Sequence, residues 1–182
     1  MAVRPVRLYG DPVLRRKALP VTGVDDTVRE LIDDMRETMR AYHGVGLAAN
    51  QIGVLQRVLV VDVPEDETTR RRYALVNPVL DQRAGGEVGE EGCLSIPGIY
   101  EDVRRAERVR VRAFDEHGQP LEFVAEGFLA RALQHEVDHL DGVLFVDRLS
   151  MLKRGFLRPQ LEAVARGEIA VRAHPPDSRS GP

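Results

Sequence analysis

The pattern His-Glu-x-x-His, at His135, Glu136 and His139, has the residue types and the spacing of a catalytic metal site. Residues four apart lie on one face of a helix about one turn apart, so both imidazoles can bind a single tetrahedral metal ion. The glutamate lies one residue along, close enough to act on a water molecule held by the metal without being a ligand itself. Leu133 and Leu140 predict that this helix is buried, where unpaired imidazoles and a carboxylate would be costly. We therefore interpret the pattern as a metal site rather than as an exposed polar helix face.

Cys93, the only cysteine of the chain, is a candidate for the third protein ligand that a catalytic metal of this kind needs. Gly92 allows the backbone before it to approach closely, and the Pro-Gly pair after it predicts a turn that fixes the thiol in a loop. A lone buried cysteine is, however, more often an inert small hydrophobe than a ligand. Asp141 and Asp147 lie downstream of the motif, but no second pattern selects either of them. The residues alone leave the third ligand open.

A third segment, Gly44-Val-Gly-Leu-Ala-Ala-Asn-Gln51, combines two glycines with small apolar residues and ends in a side-chain amide. Its glycine spacing does not fit a dinucleotide-binding loop. Taken alone, the segment is typical of a helix end that is followed by small residues packed under a sheet.

Hydrophobic periodicity predicts three helices around these motifs, at about 26–42, 127–140 and 150–165. We expect the first helix to begin with a capping box formed by Thr27 and Glu30. We expect it to stop at Gly44, because a glycine can adopt the left-handed backbone conformation that ends a helix. The second helix carries the His-Glu-x-x-His pattern, and the third contains Pro159, which predicts a kink.

Short runs with β-branched residues predict strands at 57–63, 73–80, 108–114 and 121–125. The last two form a hairpin around a turn at 115–120. Because strands and helices are segregated along the chain, the predicted fold class is α+β, with antiparallel β-sheets packed around a central metal-binding helix and with an N-terminal and a C-terminal helix. We expect one domain over 1–166 and a flexible tail at 167–182, since the end of the chain is rich in Pro, Gly and Ser.

Composition and charge exclude several classes of function. The chain has 182 residues, of which 30% are charged, and a formal net charge of −3, so it lacks the basic footprint of a DNA-binding protein. No run approaches about 18 consecutive apolar residues, and no membrane span is predicted. A single cysteine, together with the lack of an apolar signal-peptide core near the N-terminus, predicts a cytoplasmic protein.

Taken together, the three segments resemble the signature motifs of the peptide deformylase family. The motifs, in the family's order and at similar spacing, are Gly44-x-Gly-Leu-Ala-Ala-x-Gln51, Glu91-Gly-Cys-Leu-Ser95 and Gln134-His-Glu-x-x-His-Leu140. The resemblance covers residues 3–150 and leaves 150–182 without a functional inference. It implies a metal-dependent hydrolase that removes the N-formyl group from the N-terminal formyl-methionine of newly made polypeptides and releases formate.

The same resemblance assigns roles to the motif residues. It implies that one divalent metal ion is bound by a water molecule and by three side chains, those of Cys93, His135 and His139. Fe²⁺ is the metal that the family usually carries, and Zn²⁺, Ni²⁺ or Co²⁺ can substitute for it. The metal-bound water attacks the formyl carbon, with Glu136 as general base and then general acid. The metal, the backbone N–H of Leu94 and the side-chain amide of Gln51 stabilise the oxyanion.

By the same resemblance, the substrates are N-formylmethionyl nascent polypeptides. An extended peptide can add as an extra strand against a free strand edge, and the methionine side chain then needs an apolar pocket. The expected contacts with the peptide and the methionine are Val45, Gly46, Gly92, Phe128, Arg131 and Ala132. Arg131 departs from the apolar residue expected at its position, and we expect its stem to line the pocket with the charge at the rim.

Two other interpretations stay open. A metallopeptidase with the same helix motif would cleave internal peptide bonds and needs no upstream cysteine. An inert metal-binding module would usually have lost a ligand or the base, whereas all of these residues are present here. Residues 151–166 carry a modest positive charge, which fits either docking on the ribosome or a solvated helix face.

Overall fold

The α+β class predicted from the sequence is confirmed by the computed structural model, which describes residues 1–169 and Ala173. This part of the chain contains three α-helices, α1 (Asp26–Ala41), α2 (Gly127–Leu140) and α3 (Met151–Ala165). Its strands are β1 (Gly46–Ala48), β2 (Val58–Pro64), β3 (Arg70–Ala84), β4 (Glu87–Cys93), β5 (Ile96–Arg105), β6 (Arg108–Phe114) and β7 (Pro120–Glu126). Short 3-10 helices lie at Pro12–Arg15, Ala49–Ile52 and Phe145–Arg148.

The strands form one five-stranded antiparallel sheet and one separate hairpin. The sheet has the order β1-β2-β3-β6-β7, so β1 and β7 are its outer strands, and β4 pairs with β5 outside it. The predicted hairpin around residues 115–120 is confirmed as β6–β7, with Val111 opposite Phe123. Arginine alternates with apolar residues along β6, and Val109 and Val111 are buried in the core.

Helix α2 is the buried centre of the fold, since every residue from Ala130 to Leu140 is buried. Its apolar side chains, such as Leu133 and Val137, belong to one core cluster with Leu59 of β2 and Val111 of β6. Helix α1 packs on the same sheet through a second cluster of apolar side chains. The His-Glu-x-x-His motif is therefore carried by an element that the core holds on several sides.

The start of α1 differs from the prediction. Its N-cap is Asp25, whose side chain accepts a hydrogen bond from the N–H of Val28 at 3.0 Å. Thr27 lies inside the helix, so the predicted capping box of Thr27 and Glu30 is wrong. A carboxylate at the N-cap satisfies a free N–H of the first turn as a threonine hydroxyl would, and local sequence does not decide between the two.

The end of α1 also differs from the prediction. The helix ends at Ala41, and the left-handed backbone conformation that follows belongs to His43, with a φ of 55°, and not to Gly44. Gly44 instead leaves room for Leu94, since a Cβ on Gly44 would lie 2.8 Å from Leu94 Cδ1 and would make that side chain shift. The segment 44–51 therefore packs directly against the segment 91–95 at Gly44 and Leu94.

The β4–β5 hairpin is the largest difference from the prediction, which has no strand between residues 80 and 108. Cys93 is the last residue of β4 and pairs with Ile96, so the turn lies at residues 94–95. The Pro97-Gly98 pair, predicted to be that turn, lies inside β5, so the prediction is wrong. β4 consists mostly of Glu and Gly, and long-range ion pairs stabilise it in place of the β-branched residues that mark most strands.

Helix α3 begins after Ser150, whose hydroxyl accepts a hydrogen bond from the N–H of Lys153 at 3.2 Å, and it ends close to the predicted residue. Pro159 lies within it. Of the predicted flexible tail at 167–182, residues 170–172 and 174–182 lie outside the described part of the chain. Within the described residues, every helix is too short or too polar to cross a membrane.

Candidate active site

Three potential metal-ligating atoms from two elements meet at one point. The Nε2 atoms of His135 and His139 lie 3.2 Å apart, and Cys93 Sγ lies 3.2 Å from His139 Nε2. All three atoms lie within 4.8 Å of one another. Tetrahedral N and S donors that share an ion are about 3.3–3.6 Å apart at normal bond lengths. The three atoms therefore fit the ligand sphere of a single metal ion.

The donor set fits a transition metal. Two imidazole nitrogens and one thiolate sulfur suit Fe²⁺, Co²⁺, Ni²⁺ or Zn²⁺, whereas Mg²⁺ and Ca²⁺ prefer oxygen ligands. His139 is 1% exposed, and this burial holds the pKa of its imidazole well below the usual value, which keeps it in the neutral form that binds metals. Three protein ligands leave one tetrahedral position for water, as in catalytic rather than structural sites.

The three candidate ligands come together because the β4–β5 hairpin lies against α2. Helix geometry places His135 and His139 one turn apart, and β4 ends with Cys93 beside them. Gly92 is packed under the ring of Tyr100, since a Cβ there would lie 2.6 Å from Tyr100 Cδ1. Any larger residue before the cysteine would displace that ring.

Glu91 fixes the orientation of His135. Its Oε1 accepts a hydrogen bond from His135 Nδ1 at 2.8 Å, which leaves Nε2 for the metal. Arg105 donates two further hydrogen bonds to the same carboxylate, both at 2.9 Å. Burial raises the pKa of Glu91, but the hydrogen bonds from Arg105 and His135 outweigh burial and bring the pKa to about 2. Sequence reasoning missed this role, although Glu91 belongs to the same motif as Cys93.

Glu136 lies beside the ligands on α2 and is only 5% exposed. Its Oε2 has no hydrogen-bond partner among the residues that the structure describes. Burial raises the pKa of this carboxyl to about 7. The side chain rests against β1, where a Cβ on Gly46 would lie 2.9 Å from Glu136 Cδ. The carboxyl group is therefore held in place by the first motif and can exchange a proton.

Gln51 turns its amide nitrogen towards the cluster. Its Oε1 accepts a hydrogen bond from the N–H of Ala48 at 2.9 Å, which fixes the direction of the amide. Its Nε2 donates to Ser95 Oγ at 3.1 Å and lies 3.5 Å from Cys93 Sγ. Leu94 follows the cysteine in the tight turn. The two groups predicted as oxyanion donors thus lie next to the thiol, from two different segments.

A cavity of about 440 Å³ opens over the cluster. It lies between residues 43–46 and the end of β4, and side chains of α2 form part of its wall. In the described sheets, β1 is an outer strand and β4 has a single neighbour, so each presents an edge to which an extended peptide can add. All the substrate contacts predicted from the sequence line this cavity, namely Val45, Gly46, Gly92, Phe128, Arg131 and Ala132.

Comparison with known proteins decides the family. A model of the polypeptide deformylase family matches residues 3–155. The chain belongs to the polypeptide deformylase family. A peptide deformylase of Alkalilimnicola ehrlichii is 55% identical over 172 residues, which cover 94% of this chain and 96% of that protein. The family resemblance inferred from the three motifs is confirmed.

Two solved deformylase structures share the fold. The peptide deformylase from Thermus thermophilus matches with a TM-score of 0.83 and 50% sequence identity, and the match covers 91% of this chain and 99% of that chain. The peptide deformylase from Ehrlichia chaffeensis matches with a TM-score of 0.86 and 36% sequence identity, and the match covers 93% of this chain and 100% of that chain. Polypeptide deformylases are metal-dependent hydrolases that remove the N-formyl group from nascent peptides.

In this member of the deformylase family, Arg131 is not placed as expected. It lines the cavity, but its charge does not lie at the rim, because the residue is only 7% exposed. The guanidinium donates to Glu91 Oε2 and to the carbonyl oxygen of Val103, both at 2.8 Å. The rim prediction is wrong, since acceptors in the β4–β5 hairpin hold the guanidinium in the interior.

Proposed function

We propose that this chain hydrolyses the formamide bond of N-terminal formyl-methionine in N-formylmethionyl nascent polypeptides and releases formate. One observation carries the proposal. The cluster of Cys93, His135 and His139 adjoins a cavity bordered by two strand edges, with Glu136 beside it. A metal ion and a proton-transfer group are thus available where an extended peptide can bind.

The cofactor of this proposal is one divalent ion per chain, bound by Cys93, His135 and His139. We expect Fe²⁺ in protein protected from oxygen, with Zn²⁺, Ni²⁺ or Co²⁺ able to substitute. When bound, the ion lowers the pKa of a water molecule and polarises the formyl carbonyl. Glu91 supports the site by accepting a hydrogen bond from His135 Nδ1 at 2.8 Å, which makes the imidazole a stronger ligand.

Glu136 carries the proton in this proposal. Its carboxylate takes a proton from the attacking water as the new C–O bond forms at the formyl carbon. It then delivers the proton to the amine nitrogen as the C–N bond breaks, so that formate and a free N-terminus leave. The contact with Gly46 holds the carboxylate in place for both transfers.

The developing oxyanion is stabilised by Gln51 Nε2 and the backbone N–H of Leu94. Gln51 is preorganised for this task, because its Oε1 already accepts a hydrogen bond from Ala48 at 2.9 Å and the amide cannot turn without losing it. Loss of one such donor typically lowers kcat by about 10²–10³-fold.

The peptide binds mainly through its backbone. Val45 and Gly46 on one side and Gly92 on the other offer main-chain groups that pair with any sequence. The methionine side chain lies against Phe128 and Ala132, where a flexible thioether fits an apolar surface. Selectivity for the first residue is thereby combined with tolerance for the residues that follow.

We place the reaction in the cytoplasm, in one catalytic domain over 1–166, since reducing conditions keep the free thiol of Cys93 available. Docking on the ribosome through residues 151–166 is a further part of the proposal, motivated by their positive charge. Charge reversal by Arg154→Glu with Arg158→Glu should then reduce co-sedimentation of the full chain with ribosomes. Unchanged co-sedimentation would contradict docking through this helix.

The test is formate release from a formyl-Met tripeptide by protein purified without oxygen, with bound metal quantified in the same sample. We expect release by the parent chain, and a loss of at least about 10²-fold in Glu136→Gln with metal still near one per chain. Glu67→Gln, at an exposed carboxylate between β2 and β3, is the matched control and should keep full activity. No release despite full metal occupancy would refute the proposal. Cleavage of an internal bond in an unformylated peptide would favour a metallopeptidase instead.

A further inference from the structure

Arg131 is a buried cation that takes no part in the proposed chemistry. Its guanidinium lies within hydrogen-bonding distance of four acceptors, and all four belong to the β4–β5 hairpin. The acceptors are Glu91 Oε2 at 2.8 Å and the carbonyl oxygens of Val103 at 2.8 Å, Glu87 at 2.9 Å and Gly89 at 3.3 Å. One side chain of α2 therefore binds both strands of the hairpin.

This arrangement requires an arginine. A guanidinium that is 7% exposed is costly unless its donors are satisfied. Its planar fork of five donors can reach acceptors on two strands at once, whereas a lysine ammonium is a single point charge on a flexible stem. The hairpin backbone is fitted to the group as well, since a Cβ on Gly89 would lie 3.0 Å from Arg131 Cζ.

The position of Arg131 links the two halves of the active site. It lies about one turn before His135 on α2, the helix that carries two of the three ligands. Glu87 and Gly89 lie next to residues 90–93, the part of β4 that lines the cavity and ends in Cys93. The guanidinium therefore ties the ligand-bearing helix to the strand along which the peptide is proposed to bind.

We propose that Arg131 is a positioning residue that holds β4 against α2 and so fixes the strand edge and pocket wall that bind the formyl-methionine end of the substrate. This inference rests on the proposed function and adds to it a residue that governs substrate binding. Glu91 also accepts two hydrogen bonds from Arg105 at 2.9 Å and one from His135 at 2.8 Å, and none of these three involves Arg131. Loss of the Arg131 contacts should therefore weaken substrate binding more than metal binding or the chemical step.

The experiment compares Arg131→Met and Arg131→Lys with Arg104→Met in the full, metal-loaded chain. Arg104 is an exposed arginine of the same hairpin and forms no ion pair within the described part of the chain, so it is the matched control. Three quantities are measured for each variant: metal per chain, kcat and KM for a formyl-Met tripeptide, and amide hydrogen exchange in residues 87–93. Exchange in β7 serves as an internal reference.

We expect Arg131→Met to raise KM about tenfold or more, with kcat changed less than about threefold and metal still near one per chain. The KM of Arg131→Lys should lie between those of Arg131→Met and the parent, because lysine keeps the positive charge but lacks the planar set of guanidinium donors. Exchange in residues 87–93 should be faster in Arg131→Met, while exchange in β7 stays as in the parent. The kinetics of Arg104→Met should match those of the parent.

Gly89→Ala displaces the same guanidinium from the other side and supplies the test if the Arg131 variants do not fold. Gly89→Ala should also raise KM, by a smaller factor than Arg131→Met. An unchanged KM with unchanged exchange in residues 87–93 would overturn the proposal. A loss of kcat and metal at constant KM would also overturn it, because Arg131 would then act through Glu91 on the ligands. If the parent chain releases no formate, the proposed function fails separately, and exchange in residues 87–93 still decides whether Arg131 holds β4.

Discussion

Replacing Gly46 by alanine tests whether the position of the Glu136 carboxylate, and not its presence alone, sets the rate. Gly46 has no left-handed backbone, so an alanine is conformationally allowed there. The added Cβ would lie 2.9 Å from Cδ and 3.0 Å from Cγ of Glu136. Carbon atoms in contact are about 3.5–4.0 Å apart, so the glutamate side chain must shift by about 0.5–1 Å.

Glu136 has little room for this shift. It is 5% exposed, and two carbons of its side chain, in addition to its terminal oxygen, meet the new methyl group. A displacement of about 1 Å at a reacting group can lower the rate about 10²-fold. We expect kcat to fall by about this factor with the metal retained, since the three atoms nearest to the new methyl group all belong to Glu136.

The assay is formate release, with metal content and Tm measured on the same samples. Gly44→Ala is a milder comparison, because its methyl group would lie 2.8 Å from Leu94 Cδ1, the end of a side chain that can rotate. We expect kcat to fall less than about tenfold in this variant. Gly23→Ala is the neutral control, with no atom within 4 Å of the added carbon. If Gly46→Ala keeps more than about a third of the parent kcat with fold and metal intact, the position of the Glu136 carboxylate does not set the rate.

Three further predictions concern stability. In α3, Gly155→Ala adds a methyl group with no atom within 4 Å, and should raise the free energy of unfolding in urea by about 0.5–1 kcal/mol at unchanged activity. Arg105→Met removes a buried guanidinium from Glu91 and Asp138, which keep ion pairs with Arg131 and Arg148, and should lower the free energy of unfolding by about 1.5–3 kcal/mol. A loss below about 0.5 kcal/mol would show that the Arg105 ion pairs do not stabilise the fold. The hydrogen bond from Arg110 lowers the pKa of Asp81 to about 2, below the unfolded value of about 3.9. Its stabilising effect is present above about pH 4 and is lost as the pH falls towards 2, so Asp81→Asn should destabilise the protein at pH 7 and make no difference near pH 2.

The helices and the β6–β7 hairpin are predictable because their signals are local. Apolar residues recur at helical spacing along α1, and along β6 arginine alternates with Val109 and Val111. Helix geometry alone places His135 and His139 on one face of α2. Cys93 is different, because residue chemistry left the third ligand open and the family motif was needed to select it.

The β4–β5 hairpin cannot be predicted from local pattern. β4 reads Glu-Val-Gly-Glu-Glu-Gly-Cys and contains a single β-branched residue. Its buried carboxylate, Glu91, is neutralised by Arg105, 14 residues away, and by Arg131, 40 residues away. The residues that stabilise this strand thus lie on other elements, and the position of the Arg131 guanidinium depends on them in turn. A rule that reads each segment separately assigns the strand to a loop and the arginine to the surface.

The same network explains how α2 can be both buried and chemically active. Arg131 is paired with Glu91, and Asp138 is paired with Arg105 at 2.6 Å, so these charges of the helix are neutralised within the protein. Among the described residues, Glu136 Oε2 is the one fully buried carboxylate oxygen without a hydrogen-bond partner. An unpaired buried carboxylate is destabilising, and strongly perturbed groups of this kind cluster at functional sites. Because Arg131 and Asp138 of α2 are already paired, the helix tolerates one unpaired carboxylate at the position proposed to exchange a proton.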